Sequence, residues 1–475
     1  MKPSPPRTLR VMLFGTSVSQ TNGYSVVTYN LVKQLARDPG LTVQLFGFQR
    51  NPANVRKCPP NVYEYDATAN EVPYHQGFGY GRVADAIRRF GPDVCVVYND
   101  AVVVRNVVSA MPYGRSFKLV VYADQVYLNQ PHGYVEFLNR ETDAVIAFTR
   151  TWEDNVKRLG VTVPTSYLPH GFDPDAHFPV PADVARRYFG LPSAADAVTV
   201  LNLNRNTPRK RWDLTLMAFV ELLRRLATRP IDRAVILLVG TSNDGAYDIV
   251  HVYQAELHRR GLAIDEGMKC VRFVNDRQAL SDRAVNYLYS ASDVGINTCE
   301  GEGFGLNTLQ HAAVGRPQVA PRTNAFVEYL DDDVATLVDP AHEYYACGMT
   351  GDGPGGCLAQ SCSPVAFADA LETYVRDPEI RARHGAAARA RILERFAWPD
   401  IGRKLARILR GVVGTTTPES DAFDLVRMRP ATVERRRPPG RTDICRTSVS
   451  AGARPVGVSW SAPCRTDSRS STSAS

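Results

Sequence analysis

Cys299-Glu300-Gly301-Glu302-Gly303-Phe304-Gly305-Leu306, continued by Asn307-Thr308-Leu309-Gln310-His311-Ala312-Ala313-Val314-Gly315-Arg316-Pro317, is the stretch around which the chain is organised. Before it, Ser292 to Asn297 reads as a short buried strand; after it, Asn307 to Val314 reads as a helix stopped by Gly315 and Pro317. Gly303 and Gly305 permit a tight turn, and the helix then opens with free N–H groups and the positive end of its dipole. Donors and field point to the same place, which suits a phosphate. Glu302 stands at the mouth of that turn, where a carboxylate accepts hydrogen bonds from hydroxyls. The pairing implies a ligand that is part phosphate and part polyol, such as a nucleotide sugar.

Outward from this stretch, apolar runs alternate with helical patterns. Leu9 to Gly15 reads as a buried strand, followed by a loop from Thr16 to Gly23 and a helix from about Tyr24 to Ala36. Further strands are expected at 41–48, 93–98, 119–122, 144–148 and 165–168, with helices over 81–90 and 151–159. His177-Phe178-Pro179-Val180-Pro181 breaks the pattern as a linker. A second series follows at 198–202, 234–239, 270–274, 294–297, 318–320 and 336–338. Such alternation predicts doubly wound parallel sheets, in which ligands bind beyond the carboxyl ends of the strands.

The chain has 475 residues, enough for two domains and an extra segment, with 44% hydrophobic and 22% charged residues. No run reaches the ~18 apolar residues of a membrane span, and residues 1–10 lack a signal-peptide core. A reducing, cytoplasmic location is expected, and the nine cysteines are read as free thiols. The net charge is +7, but the segment from Thr415 carries ten arginines against six acids, so the remainder is near neutral and does not read as a nucleic-acid binder. That segment is polar, without periodicity, and is expected to be disordered. Residues 341–363 are glycine-rich with Cys347, Cys357 and Cys362; the spacing matches no zinc pattern, and a surface loop is expected. Asp331-Asp332-Asp333 reads as a solvated acidic turn.

Glu302-Gly303-Phe304-Gly305-Leu306 followed by a helix ending in Gly-x-Pro resembles the signature loop of the family 4 retaining glycosyltransferases, the group 1 glycosyl transferases of GT-B fold. That pattern has two glutamates with seven residues between them; here the first is Glu302 and Gln310 stands at the second. Leu201 to Asp213 also fits. It sets four cations within seven residues after a strand, and Arg205 and Lys210 match the family's Arg and Lys five apart, although Arg209 and Arg211 leave the second cation ambiguous by one position. The resemblance covers roughly residues 8–412. It implies two Rossmann-like domains facing across a cleft: 1–178 on the acceptor side, 179–398 on the nucleotide-sugar side, 399–414 as a helix crossing back, and 415–475 as tail.

The resemblance further implies roles. Glu302 would hold sugar hydroxyls, assisted by the N–H groups of Phe304 and Gly305. Arg205 and Lys210, with the N–H groups near Leu306, Asn307 and Thr308, would bind the diphosphate, and Gln310 would reach the ribose. Gly23 and Tyr24 would approach from the opposite domain. Where the family often has a histidine near the reacting sugar, Val120 to Gln125 offers only Asp124, whose other reading is a strand-end cap. His132, His170 and His311 are read as structural. The expected reaction is retaining transfer of a hexosyl group from a nucleoside-diphosphate sugar to a hydroxyl of a glycan, lipid or protein-linked sugar. No metal and no cofactor are expected, and membrane contact, if any, is peripheral. The rival reading is a non-catalytic nucleotide-sugar-binding or scaffold protein, motivated by Gln310 and the missing histidine.

Overall fold

The computed structural model describes residues 8–414 except 52, 54–55, 69–75, 131, 244, 275–279, 324 and 347–355. The first half runs β1 (Leu9–Thr16), α1 (Gly23–Leu35), β2 (Leu41–Phe48), β3 (Tyr63–Asp66), α2 (Val83–Phe90), β4 (Val94–Asn99), α3 (Ala101–Ser109), β5 (Lys118–Ala123), α4 (His132–Glu141), β6 (Ala144–Ala147), α5 (Arg150–Arg158) and β7 (Thr165–Tyr167). The second continues with α6 (Ala182–Tyr188), β8 (Ala197–Asn202), α7 (Trp212–Thr228), β9 (Ala234–Val239), α8 (Ile249–Arg259), α9 (Ile264–Met268), β10 (Val271–Phe273), α10 (Asp282–Ala291), β11 (Val294–Ile296), α11 (Leu306–Ala313), β12 (Gln318–Pro321) and β13 (Thr336–Val338). A hairpin follows, β14 (Pro340–Ala346) and β15 (Cys357–Cys362), then α12 (Pro364–Arg376), α13 (Pro378–Arg395) and α14 (Trp398–Val413).

Both main sheets are parallel. The first has the order β3-β2-β1-β4-β5-β6-β7 and the second β10-β9-β8-β11-β12-β13. Their central strands are apolar on both faces because helices cover both, as in β4, where all six residues are buried. Strand order reverses between β1 and β4 in one sheet and between β8 and β11 in the other. Loops leaving the carboxyl ends of strands on either side of such a point diverge and open a crevice. Those loops are the ones singled out from sequence: after β1, Thr16 to Asn22; after β8, Leu203 to Arg211; after β11, Asn297 to Gly305.

Helix α14 returns the chain to the first sheet. Leu405 and Leu409 are buried in a cluster shared with Leu31 and Leu35 of α1, each such side chain contributing about 1.5–3 kcal/mol. Gly402 lies directly against Gln34, and Arg410 pairs with Asp38 at 2.7 Å. The same cluster continues beneath the crevice as a group of tilted and edge-on rings around His170. His170 sits 4.3 Å from Phe148, 4.9 Å from Phe304 and 5.6 Å from Tyr122, centroid to centroid.

The structure corrects the sequence reading at residues 341–363. The described part is an antiparallel hairpin, with Tyr344 opposite Ala359 and Tyr345 opposite Leu358, rather than a surface loop. Cys347 lies outside the described residues, as does everything from residue 415. The strand β3 and the helices α3 and α4 had no counterpart in the sequence reading. Among the described residues, no helix is long and apolar enough to cross a membrane.

Burial holds the His170 imidazole down at about 3, and neither ring nitrogen has a hydrogen-bond partner among the described residues. A folded-state pKa below the unfolded 6.5 means stability that is present above pH 6.5 and lost as pH falls toward 3. Replacing the ring by an apolar one of similar size removes both the unpaired polar atoms and that loss. Melting curves of His170→Phe and the parent between pH 4.5 and 7.5 should show a smaller acid decline for the variant, with no loss of melting temperature at pH 7.5.

Candidate active site

The β8–α7 loop is set by a 3-10 turn at Pro208–Lys210 that ends on Arg211 with φ of 49°, a left-handed conformation costing a non-glycine residue roughly 1–2 kcal/mol. The cost is offset by the contacts it allows. Arg211 is aimed away from the crevice onto Asp213 (2.8 Å), Glu300 (3.2 Å), Ser361 (3.2 Å) and Tyr344 (3.0 Å). Lys210 and Arg209 are thereby aimed the other way, at Glu302. The Lys210 Nζ pairs with one carboxylate oxygen, and Arg209 Nη1 lies 3.5 Å from the other while donating to the Gly301 carbonyl. Lys210 and Arg209 thus share the Glu302 carboxylate, and Arg211 pairs with Asp213 and Glu300 instead.

The Glu302 side chain is 12% exposed. Burial alone would raise its pKa, but Lys210 and Arg209 hold it down at about 2. Arg205 is exposed, makes no ion pair or side-chain hydrogen bond among the described residues, and lies near enough to help hold Glu302 ionised. Its position is fixed by the Trp212 indole, which donates to its carbonyl at 3.3 Å.

Gly305 caps α11 with φ of 82°, and a Cβ there would come within 2.8 Å of Phe326 and 2.9 Å of the Tyr329 hydroxyl. Gly303 touches Asp124 so closely that any side chain would collide with it. In the first turn of α11, the Thr308 N–H donates to Asn307 Oδ1 at 2.9 Å, and the N–H groups of Leu306 and Asn307 have no protein acceptor among the described residues. The Asn307 amide is spent on Leu203 and Asn204, and the Thr308 hydroxyl on Asn297. Phe304 is core, 2% exposed. Gln310 accepts from the Tyr289 hydroxyl at 3.3 Å.

From the first sheet, Asn22 caps α1 by accepting from the Ser25 N–H, leaving Gly23 exposed at the helix start. A Cβ on Gly23 would lie 3.5 Å from Leu306, so the N-termini of α1 and α11 face each other across the crevice. The Tyr24 hydroxyl joins two carboxyl groups, Asp100 at 2.7 Å and Asp124. Burial, reinforced by Asp100, pushes the Asp124 carboxyl up to about 7, against the pull of Tyr24 and Arg209. The structure thus brings Glu302, Lys210, Asp124, Tyr24, Gly23 and Gly303 to Leu306 into one crevice, with Arg205 at its edge. Gln310 lies one helical turn further along α11. His311 is in the second core, bonded to Ser292 Oγ at 2.7 Å. Asp331 and Asp332 pair with Arg391 and Arg322.

Three participants lie outside the sequence-derived site. Arg209 stood among the loop's cations without an assigned contact. Trp152 of α5 donates its indole N–H to the Gly303 carbonyl at 2.9 Å; a lone tryptophan in a helix gives no sequence signal. The hairpin is the third: Tyr344 bonds the buried Glu300, and Asn129 of the first half meets Gly356 O at 2.6 Å and Leu358 N at 2.5 Å. Its signal was an aromatic pair, Tyr344-Tyr345, before a glycine-rich stretch of sequence.

Residues 196–377 match the family described as glycosyl transferases group 1. The match takes in both loops that meet at Glu302. The human alpha-1,3/1,6-mannosyltransferase ALG2 is 27% identical over 42% of this chain and 41% of its own length. A D-inositol 3-phosphate glycosyltransferase from Kineococcus radiotolerans is 30% identical over 54% of this chain and 53% of its own. The chain spans about half the length or less of these relatives. Among solved structures, sucrose-phosphate synthase from Thermosynechococcus elongatus superposes with a TM-score of 0.65 at 17% identity, over 86% of this chain and all of that one. Anabaena Alr3699/HepE in complex with UDP and glucose does so at 0.60 and 17%, over 85% and 100%. The fold is GT-B.

The Asp124 carboxyl yields a test with a defined sign. Its folded pKa lies above the unfolded value, so its contribution to stability is full at low pH and declines as pH rises from about 4 through about 7. Asp124→Asn keeps the shape and removes the charge. Relative to the parent, the variant should gain melting temperature between pH 5 and pH 8.5; a parallel pair of curves would mean that Asp124 is ionised throughout.

Proposed function

We propose that this protein is a metal-independent retaining hexosyltransferase that moves a hexosyl group from a nucleoside-diphosphate sugar to a hydroxyl acceptor. The observation that carries this reading is the meeting of two helix N-termini, α1 and α11, beside an exposed Arg205 and the Lys210–Glu302 pair. Two helix starts and two cations suit a diphosphate, whose charge grows as it leaves. Glu302 takes hydroxyls of the transferred sugar, with the N–H groups of Phe304 and Gly305 beside it. Arg205, Lys210 and the first-turn N–H groups of α11 hold the diphosphate, and Gln310 takes the ribose. Gly23 and Tyr24 complete the cradle from the first sheet, and Asp124 faces the reacting sugar. In a retaining course without a protein nucleophile, the leaving phosphate oxygen receives the proton of the acceptor hydroxyl. Charge neutralisation then falls to Arg205 and Lys210 rather than to a metal ion.

Glu302→Gln and Glu302→Ala, assayed for consumption of UDP-glucose and GDP-mannose, should lose turnover by about 10²–10³-fold, the scale of one lost transition-state contact. Melting curves on the same preparations control for folding, and undiminished turnover would sink the assignment. At Gln310 a neutral amide still offers an acceptor and a donor. Gln310→Ala should weaken UDP or GDP binding about three- to tenfold, the worth of one neutral hydrogen bond, and Gln310→Glu should hold or improve it. Calorimetric titration of either nucleotide decides; three indistinguishable proteins would remove Gln310 from the ribose.

A further inference from the structure

Tyr29, Lys33 and, just past the C-cap of α1, Arg37 follow one another at four-residue spacing, which sets them on one face of the helix. The connection from β2 to β3 brings Arg56 and Lys57 to the same face. Between these elements lies an open cavity of about 390 Å³, lined among others by Tyr29, Lys33, Arg37, Lys57, Pro59 and Asn61, and no residue of its lining is acidic. That volume is within the range of small-molecule sites. Lys33 stands ten residues along α1 from Gly23, about 15 Å by helix rise, so the cavity is separate from the crevice.

Like charges are crowded here and only partly compensated. Lys33 Nζ and the Arg56 guanidinium both lie 5.7 Å from the Tyr29 ring centroid, and Lys33 and Arg37 are four apart, a spacing at which like charges repel. Arg56 pairs with Asp282 at 2.7 Å, but Lys33 reaches Asp173 only at 3.7 Å, beyond hydrogen-bonding distance. Arg37 gives one N–H to Gln34 Oε1 at 3.0 Å, which leaves the rest of its donor fork. Lys57 is exposed and makes no ion pair or side-chain hydrogen bond among the described residues. Neighbouring acids are engaged elsewhere: Asp38 pairs with Arg410 at 2.7 Å, and Glu64 accepts from the Cys58 thiol at 3.8 Å. The Asn61 amide covers the Ala36 carbonyl at 2.7 Å, so the negative end of α1 is capped on this side. We propose that the cavity is a phosphate-binding site: Lys33, Arg37 and Lys57 hold a phosphomonoester group, and the molecule that carries it lies along Tyr29 and Pro59. Two point charges and one planar fork are the donor set that such a group takes. The site goes beyond the transferase reading and does not depend on it.

The experiment uses the full chain and two kinds of probe. Inorganic phosphate and glucose 6-phosphate are titrated by calorimetry; in parallel, co-sedimentation is measured with phosphatidylcholine vesicles containing phosphatidic acid or, at matched charge, phosphatidylserine. Arg37→Gln and Lys57→Gln should each weaken binding about three- to fivefold, the worth of one exposed ion pair, and by more when combined. Both side chains are exposed, and melting curves check that the variants fold like the parent. Two further variants locate the effect: Arg187→Gln removes an exposed cation of α6, and Arg205→Gln removes the cation at the crevice edge. Both should leave this binding unchanged. A response to the soluble phosphates assigns a soluble phosphomonoester, and a preference for phosphatidic acid over phosphatidylserine assigns a lipid headgroup. A parent that binds neither kind of probe overturns the proposal. So does a loss on Arg187→Gln equal to that on Lys57→Gln, which would mean diffuse charge, or a loss confined to Arg205→Gln, which would place the phosphate in the crevice.

Discussion

Glu302 is a carboxylate taken largely out of water, and its pairing with Lys210 and Arg209 is the constraint on which the second half of the crevice depends. A buried ion costs several kcal/mol unless partners are held in good geometry. Here they are held by the backbone as well as by charge. The Arg209 carbonyl accepts from the Glu300 N–H at 3.1 Å, Thr298 Oγ1 donates to the Arg211 carbonyl at 2.9 Å, and Arg209 binds the Gly301 carbonyl. The loops after β8 and β11 are therefore one cross-linked unit. In charge, Arg205, Arg209 and Lys210 face Glu302 with Asp124 behind, and the cation left at the edge, unspent on protein, is Arg205.

Beneath that crevice the two halves meet through apolar contact, and elsewhere Arg56 of the first half pairs with Asp282 of the second at 2.7 Å. Phe304 belongs to the glycine loop of the second half, yet its ring packs on His170, within the cluster that includes Phe148 and Tyr122 of the first sheet. Trp152 adds a hydrogen bond from α5 to the same loop. Position 303 is left with room for a hydrogen only, because Asp124 approaches from the other side. Loop geometry and the relation between the halves are thus determined together, and a change at Phe304, Trp152 or Gly303 acts on both.

The parallel strands were legible because burial on both faces writes them as apolar runs: β2, β9 and β13 coincide with the sequence reading residue for residue. The glycine loop was legible through backbone geometry, since a left-handed N-cap at Gly305 and a close approach at Gly303 admit little else. Short or polar elements escaped. The strand β3, Tyr63-Glu64-Tyr65-Asp66, sits at a sheet edge with mixed burial, and α3 is a valine-rich segment whose composition reads as strand. Arg209 was visible as a charge but not as a direction, because the direction is set by the left-handed residue after Lys210. The amide of Asn129 and the indole of Trp152 act through tertiary contacts some 150 to 230 positions distant in sequence, and no local pattern encodes them.

The hairpin is the hardest part of the chain to read. Its attachment uses Arg211, Glu300, Tyr344 and Ser361, residues that in sequence look like an ordinary basic turn and a polar loop. The opposite face carries Leu358 and Gln360, with no motif, and the Gln360 amide donates to Glu343 Oε1 at 2.8 Å. Because the anchoring side chains lie on one face of the strand, a change on its other face leaves Arg211, Glu300, Tyr344 and Ser361 in place. The loops around Glu302 have no such freedom, since each of their residues is tied to another through backbone or buried charge.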